Sequence, residues 1–141
     1  MEDRTPSNTA TFDLRAIAGK FPATASTMLI DTRLTDEVHA SARVFRVYSP
    51  VAAHYHITCD EYLLVLSGRA EFFFGGDEPF ELGPGRLIFF RQSIVHGITK
   101  ILEEPFVVLA VDTPRRDPAD VHFVDPTAGT AETFIHTQTL Y

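Results

Sequence analysis

The stretch AHYHITCDEYLLVLSGRAEFFF, residues 53–74, constrains this chain more than any other. Two histidines one residue apart and a glutamate run straight into an apolar strand pattern. Side chains on a strand alternate between faces, so His54 and His56 point the same way, roughly 7 Å apart at their Cα atoms, and Tyr55 points the other way. The ITCD segment reads as a turn, and Glu61 opens the next strand, which can return antiparallel beside the first. One hairpin thereby offers two imidazoles and a carboxylate to a metal ion. His96, at the end of GPGRLIFFRQSIVH, can complete a four-ligand set.

The same strand pattern recurs along the chain. STMLIDTRL, ARVFRVYSP, VAAHYHI, EYLLVLS, RAEFFFG, RLIFFR and FVVLAVDT are short runs rich in Val, Ile, Leu and Phe. TCD, SG, GGDEP, LGPG, RQS and EEP separate those from Val51 onward. Many short strands with no long helix between them predict an antiparallel barrel or jelly roll. Runs such as YLLVL predict strands covered on both faces, one filling the barrel and one meeting a helix or partner. FDLRAIAGKFP (12–22) reads as a short helix, with Leu14, Ile17 and Ala18 near one face, Gly19 able to end it and Pro22 barring its continuation. In the second strand Arg43 and Arg46 fall on opposite faces, so at most one aims inward. Residues 1–11 are polar and expected to fray. Residues 113–141 read as a tail that packs on the rest, with apolar patches at Val121–Val124 and Phe134-Ile135.

Length and charge narrow the function. The 141 residues suit one domain, and Phe 12 with Tyr 4 supply its large core side chains. A formal net charge of −7, with no Lys/Arg cluster beyond Arg115-Arg116, argues against nucleic acid. The longest apolar runs are too short to span a bilayer. The polar N-terminus has no h-region of a secretory signal. Cys59 is the only cysteine, which excludes an internal disulfide and fits a reducing cytoplasm. In its turn it reads as a bystander thiol. His39, His122 and His136 read as ordinary packing or solvated residues.

These residues resemble the cupin superfamily. The first cupin motif, G-x5-H-x-H-x3–4-E-x6-G, is matched by His54, His56, Glu61 and Gly68. The second, G-x5-P-x-G-x2-H-x3-N, is matched at Gly85 and His96. Tyr48 stands where the first motif has Gly, and Arg91, Ser93 and Lys100 stand where the second has Pro, Gly and Asn. Losing that Pro and Gly alters the turn before His96. The resemblance implies a single jelly-roll domain over residues 1–141. Its barrel core lies at about 40–112, its N-terminal helix and strand region at 12–33 and its tail at 113–141. It also implies a homodimer and one divalent transition metal ion (Fe, Mn, Ni, Co, Cu or Zn) held by His54, His56, Glu61 and His96.

Two kinds of function fit that site. One is a metal-dependent enzyme on a small molecule, with dioxygenase chemistry first and isomerase, lyase or decarboxylase chemistry next. The other is a non-catalytic module that binds a small ligand or a metal. A metal-independent sugar epimerase on a similar barrel is a third class. Arg91 is a candidate carboxylate clamp at the cavity mouth, weighed against an ordinary solvated arginine.

Overall fold

The computed structural model describes residues 8–141, so the expected fraying over residues 1–7 lies outside the described residues. Helix α1 (Leu14–Ala18) starts where the Asp13 carboxylate accepts from the Ala16 amide at 3.1 Å, and it stops at Gly19. Strands β1 (Leu29–Glu37), β2 (Ala40–Val47) and β3 (Val51–Tyr55) follow, then the long β4 (Asp60–Phe74). After β5 (Phe80–Leu82) and β6 (Leu87–Phe90) comes the longest strand, β7 (His96–Thr113). The tail adds β8 (His122–Phe123), α2 (Ala131–Phe134) and β9 (Ile135–Thr137).

The strands are ordered β5-β4-β7-β2-β1-β9, with β3 joined to β7 and β8, and β6 to β4. β4 and β7 pair antiparallel from Asp60↔Thr113 to Phe74↔His96, with register shifts between Val65 and Phe72 that bend both strands. The fold is an all-β double-stranded β-helix, the jelly roll the strand pattern predicts. Its interior holds Phe45, Val47, Leu63, Val65, Phe72 and Val108 with their neighbours. A second apolar layer lies outside, where Ile17 and Phe21 of the α1 region cover Ile30, Val44 and Val107. Runs such as RVFRV are therefore buried on both faces, and Arg43 is the arginine that aims inward, 2% exposed.

Three expectations need correction. SG does not break a strand: β4 runs through Gly68, whose φ of +75° and close approach to the carbonyls of Glu103 and Pro105 make it a bend. EEP is not a loop but lies inside β7, where Glu103 pairs with Arg69 in the ladder and accepts from its Nε at 2.8 Å. The barrel is not wholly antiparallel, because β9 runs parallel to β1. That pairing comes from the tail, which returns across the molecule. Thr137 Oγ1 donates to Asp31 at 2.6 Å and Tyr141 OH donates to the Arg33 carbonyl at 2.6 Å. Among the described residues no helix is long and apolar enough to cross a membrane.

Candidate metal centre

The β3–β7 ladder places His54 directly opposite His96. His56 follows one residue beyond β3, and its carbonyl accepts from the Ser93 amide at 2.6 Å. The donor nitrogens of His54, His56 and His96 lie within 4.8 Å of one another, all three residues buried. The residues predicted from 53–56 and from 96 thus meet in one group.

Glu61 arrives differently from expectation. β3 makes no ladder with β4, so the hairpin inferred from residues 53–74 does not form. The turn at 56–59 carries the chain away from β3, and β4 starts between β6 and β7, with Glu61 opposite Phe90 and Asp112. Its carboxylate groups with Cys59 and Asp112, and it touches the imidazole group through His56, Oε1 to Nε2 at 3.0 Å.

The tautomers can be read from the hydrogen bonds. Nδ1 of His54 lies 2.8 Å from the Ala52 carbonyl, that of His56 lies 2.7 Å from the Asp120 carbonyl and that of His96 lies 2.9 Å from the Ile94 carbonyl. A carbonyl only accepts, so each Nδ1 carries a proton; Nε2 of His54 and of His96 keeps its lone pair, while Nε2 of His56 faces the Glu61 carboxylate. Metal-binding histidines are oriented in this way. Burial, then the proximity of the other imidazoles, pushes the pKa of His54 well below its ordinary value and that of His96 to about 3. The ring of His96 also lies 4.1 Å from that of Phe90, so apolar surface backs the nitrogen cluster.

Glu61 is the acid of this site. Burial works against its anion, but His56, Arg43 and Arg116 outweigh that and hold its pKa well below the carboxylate range. Its Oε1 faces Nε2 of His56 and has no other partner within hydrogen-bond distance. An ionised oxygen 3.0 Å from an imidazole nitrogen needs a cation between them, a proton on His56 Nε2 in the metal-free protein or a metal ion in its place. Two ligand atoms roughly 2.1 Å from one ion, at right angles about it, stand about 3.0 Å apart. The donor set and the placement of that oxygen therefore fit a divalent ion. Cys59 beside it is a buried thiol whose pKa rises to about 12, first through burial.

Two tail residues escaped the motifs. Asp120 clamps the turn after β3: its carboxylate accepts from the Ile57 and Thr58 amides at 2.9 Å each, while its carbonyl orients His56. Arg116 is 2% exposed and lines the cavity beside the histidines. The only signal for them was two charged side chains in a Pro-rich tail. Arg91, the arginine weighed as a clamp, is exposed, lies 5.7 Å over the Phe89 ring and is absent from the cavity lining. Tyr48 donates its hydroxyl to the Pro22 carbonyl at 2.7 Å, and Lys100 lies 3.7 Å from Glu71, so both residues serve the outer surface.

Ser93 shows what the altered turn costs. It adopts φ +66°, the left-handed conformation that a glycine takes without strain. Ser93→Gly is expected to stabilise the protein by up to about 1 kcal/mol, read as a higher midpoint in thermal unfolding, with metal content unchanged. A lower midpoint would show that the turn is held by the serine itself.

The low histidine pKa values also set a pH dependence for the metal-free protein. Below about pH 6.5 the unfolded chain takes up protons that the folded His54 and His96 refuse. Their folded pKa values are depressed, so stability is full above about pH 6.5 and falls toward pH 3. His96 alone subtracts about 2 kcal/mol by pH 5. Metal-free unfolding midpoints at pH 7 and pH 5 check this, and His96→Gln is expected to shrink the drop.

A family model described as a cupin domain matches residues 46–112. No curated protein matches the chain. An uncharacterized conserved protein with a double-stranded β-helix domain from Klebsiella pneumoniae superposes with a TM-score of 0.65 at 19% identity, covering 84% of this chain and 97% of that one. A putative mannose-6-phosphate isomerase from Ralstonia eutropha gives 0.61 at 21% identity, covering 77% and 98%. The DMSP lyase DddQ from Ruegeria pomeroyi gives 0.56 at 25% identity, covering 66% and 47%.

Proposed function

The chain belongs to the cupin superfamily, and from that premise we propose that it is a metal-dependent enzyme acting on a small molecule. His54, His56 and His96, with Glu61, hold one divalent transition metal ion. The observation that carries this reading is the convergence of three buried imidazoles, each oriented by an Nδ1–H bond to a carbonyl. Three imidazoles and one carboxylate suit Fe, Mn, Co, Ni, Cu or Zn rather than Ca. When bound, such an ion supplies a Lewis acid for a coordinated oxygen group.

The chain's own residues prepare the site. The carbonyls of Ala52, Ile94 and Asp120 fix the imidazole planes. Leu63, Val65, Phe72 and Val108 line the cavity and exclude water, which strengthens the electrostatics inside it. His56, then Arg43 and Arg116, keep Glu61 ionised. The cavity is small, about 40 Å³, a volume for an ion and a few water-sized groups. A substrate therefore presents a small polar head to the site.

Dioxygenase chemistry is the first class to assay. Isomerase and lyase chemistry follow, the classes of two structurally similar proteins, the putative mannose-6-phosphate isomerase and the DMSP lyase. The decisive measurement is metal per chain on anaerobically prepared protein, followed by oxygen uptake with catechols, β-diketones and 2-oxo acids. Uptake that vanishes in His56→Ala supports the enzyme. Stoichiometric metal with no turnover of any kind moves the chain to the binding-module reading, and a protein that retains no metal after loading ends the proposal.

We also propose a homodimer formed through the outer face of β4 and β6. Tyr62, Leu87 and Phe89 are exposed there, with Tyr62 and Phe89 in register and their rings 4.8 Å apart. Light scattering on eluted protein is expected to give twice the 15.7 kDa chain mass. A monomer at micromolar concentration overturns the assignment.

A further inference from the structure

Arg116 has more hydrogen-bonding capacity than the protein uses. Its Nε and Nη2 are buried and make no hydrogen bond. Its Nη1 lies 3.7 Å from Glu61 Oε1, and one face of the guanidinium rests 5.7 Å from the Phe134 ring centroid. Arg43 is the contrast: its Nε, Nη1 and Nη2 all donate to Asp112 or Asp31. A buried guanidinium with idle donors is costly unless something accepts from it.

The charge balance points to what that is. The buried ion-pair network that joins Arg43 and Arg116 to Asp31, Glu61 and Asp112 carries a formal −1, and Asp120 stands outside it, satisfied by the Ile57 and Thr58 amides. A divalent ion brings the cluster to +1. One further negative charge closes it, and the idle N–H pair of Arg116 is a fork that matches two carboxylate oxygens.

Position agrees with charge. Arg116 touches Glu61, and Glu61 touches His56, so the guanidinium sits one side chain away from the imidazole cluster. Arg116 and Ile135 also line a second cavity of about 300 Å³, whose walls include Arg33, Pro118 and Glu132. The guanidinium thus stands where a ligand extends from the small inner cavity into the larger outer one.

From these three observations we propose that Arg116 is the ligand-binding residue of this cavity and that the ligand is a small carboxylate monoanion, its acid group on the guanidinium and its other oxygen toward the imidazoles. This deepens the metal-dependent reading and rests on it for the charge balance. The outer cavity takes the remainder of any larger acid.

The test uses glycolate and its uncharged counterpart glycolamide on the full chain, with cobalt content measured on every sample. Glycolate is expected to perturb the visible spectrum of the cobalt-loaded protein and to raise its unfolding midpoint, while glycolamide does neither. Arg116→Gln is expected to weaken glycolate at least tenfold with cobalt retained, and Arg116→Lys to recover part of that loss. Equal effects of glycolate and glycolamide on the unsubstituted protein overturn the proposal, whatever the variants do. So does an unchanged glycolate affinity in a cobalt-loaded, folded Arg116→Gln. If the protein takes up no cobalt, the metal reading falls separately. The glycolate titration is then run on metal-free protein: a difference between it and Arg116→Gln keeps the arginine's role, and no difference removes it.

Discussion

His96→Gln is expected to abolish most of the stabilisation that metal confers on this protein while leaving the metal-free fold close to its starting stability. Glutamine keeps a polar head that can donate to the Ile94 carbonyl, the partner His96 uses at 2.9 Å. What it loses is the aromatic nitrogen facing His54 and His56. Loss of an outer partner of a metal ligand typically costs about 10–100-fold in affinity, so loss of the ligand itself is set here at about 100-fold or more. At a cobalt or zinc concentration one hundred times the dissociation constant, bound metal adds about 2.7 kcal/mol. For a domain of this size that is roughly 8 °C in unfolding midpoint. A 100-fold weaker site gains only about 0.4 kcal/mol at the same concentration, roughly 1 °C. Metal titrations followed by thermal unfolding of both proteins provide the check. The low pKa of His96 makes the assay clean, because at pH 7 no proton has to leave the imidazole before metal binds. Equal metal-induced rises in the two proteins would remove His96 from the ligand set and leave the assignment of the other three residues in need of a different fourth.

How far the sequence carried this site depends on how local each relation is. His54 and His56 share a face because two residues separate alternate positions on any strand, and that needs no knowledge of the fold. Gly68 carried a real signal, although it marks a bend within β4 and not the end of a strand. The route of Glu61 was misread because a short turn between two apolar runs suggests a hairpin, whereas in this barrel β4 takes its partners from β6 and β7. The EEP segment was misread for a similar reason: its charges face water while its backbone stays in the β7 ladder, so composition indicated a loop and pairing made a strand. Arg116 and Asp120 could not be found locally at all. Asp120 meets Ile57 across 63 residues of chain and Arg116 meets Ser41 across 75. Nothing within a window of the tail shows that it folds back over the mouth of the barrel. The motif thus located the imidazoles, and the long-range contacts supplied the charges around them.

Those charges are held together by Arg43, and removing it is the substitution expected to cost the fold most. The side chain is 2% exposed. Its Nε and Nη2 donate to the two oxygens of Asp112 at 2.8 and 3.2 Å, and Nη1 donates to Asp31 at 3.2 Å. Nη2 also lies 3.8 Å from Glu61. Burial alone would lower the Arg43 pKa, but Asp112, Asp31 and Glu61 outweigh it and raise it above the ordinary value, so the guanidinium is charged at every accessible pH. Arg43→Met keeps much of the volume and deletes the cation. Asp112 then retains only the Ser41 hydroxyl at 2.9 Å among these donors, and Asp31 retains Thr137 with Arg33 at 4.0 Å. Stranding buried carboxylates in this way costs about 3–5 kcal/mol, a large part of the total stability of a domain. The loss has a pH signature with a definite sign. The stranded carboxylates escape the penalty only by taking up protons, which the folded variant does more readily than its unfolded chain, so the deficit is smaller at pH 5 than at pH 8. Adding Asp112→Asn and Asp31→Asn to Arg43→Met is expected to recover stability at pH 8, because the charge that needed a partner is gone. Urea unfolding of the single and triple variants at the two pH values measures all of this. A deficit that is the same at both pH values, with no recovery in the triple variant, would mean that Arg43 contributes packing volume and not the charge that holds Glu61, Asp31 and Asp112 around the cavity.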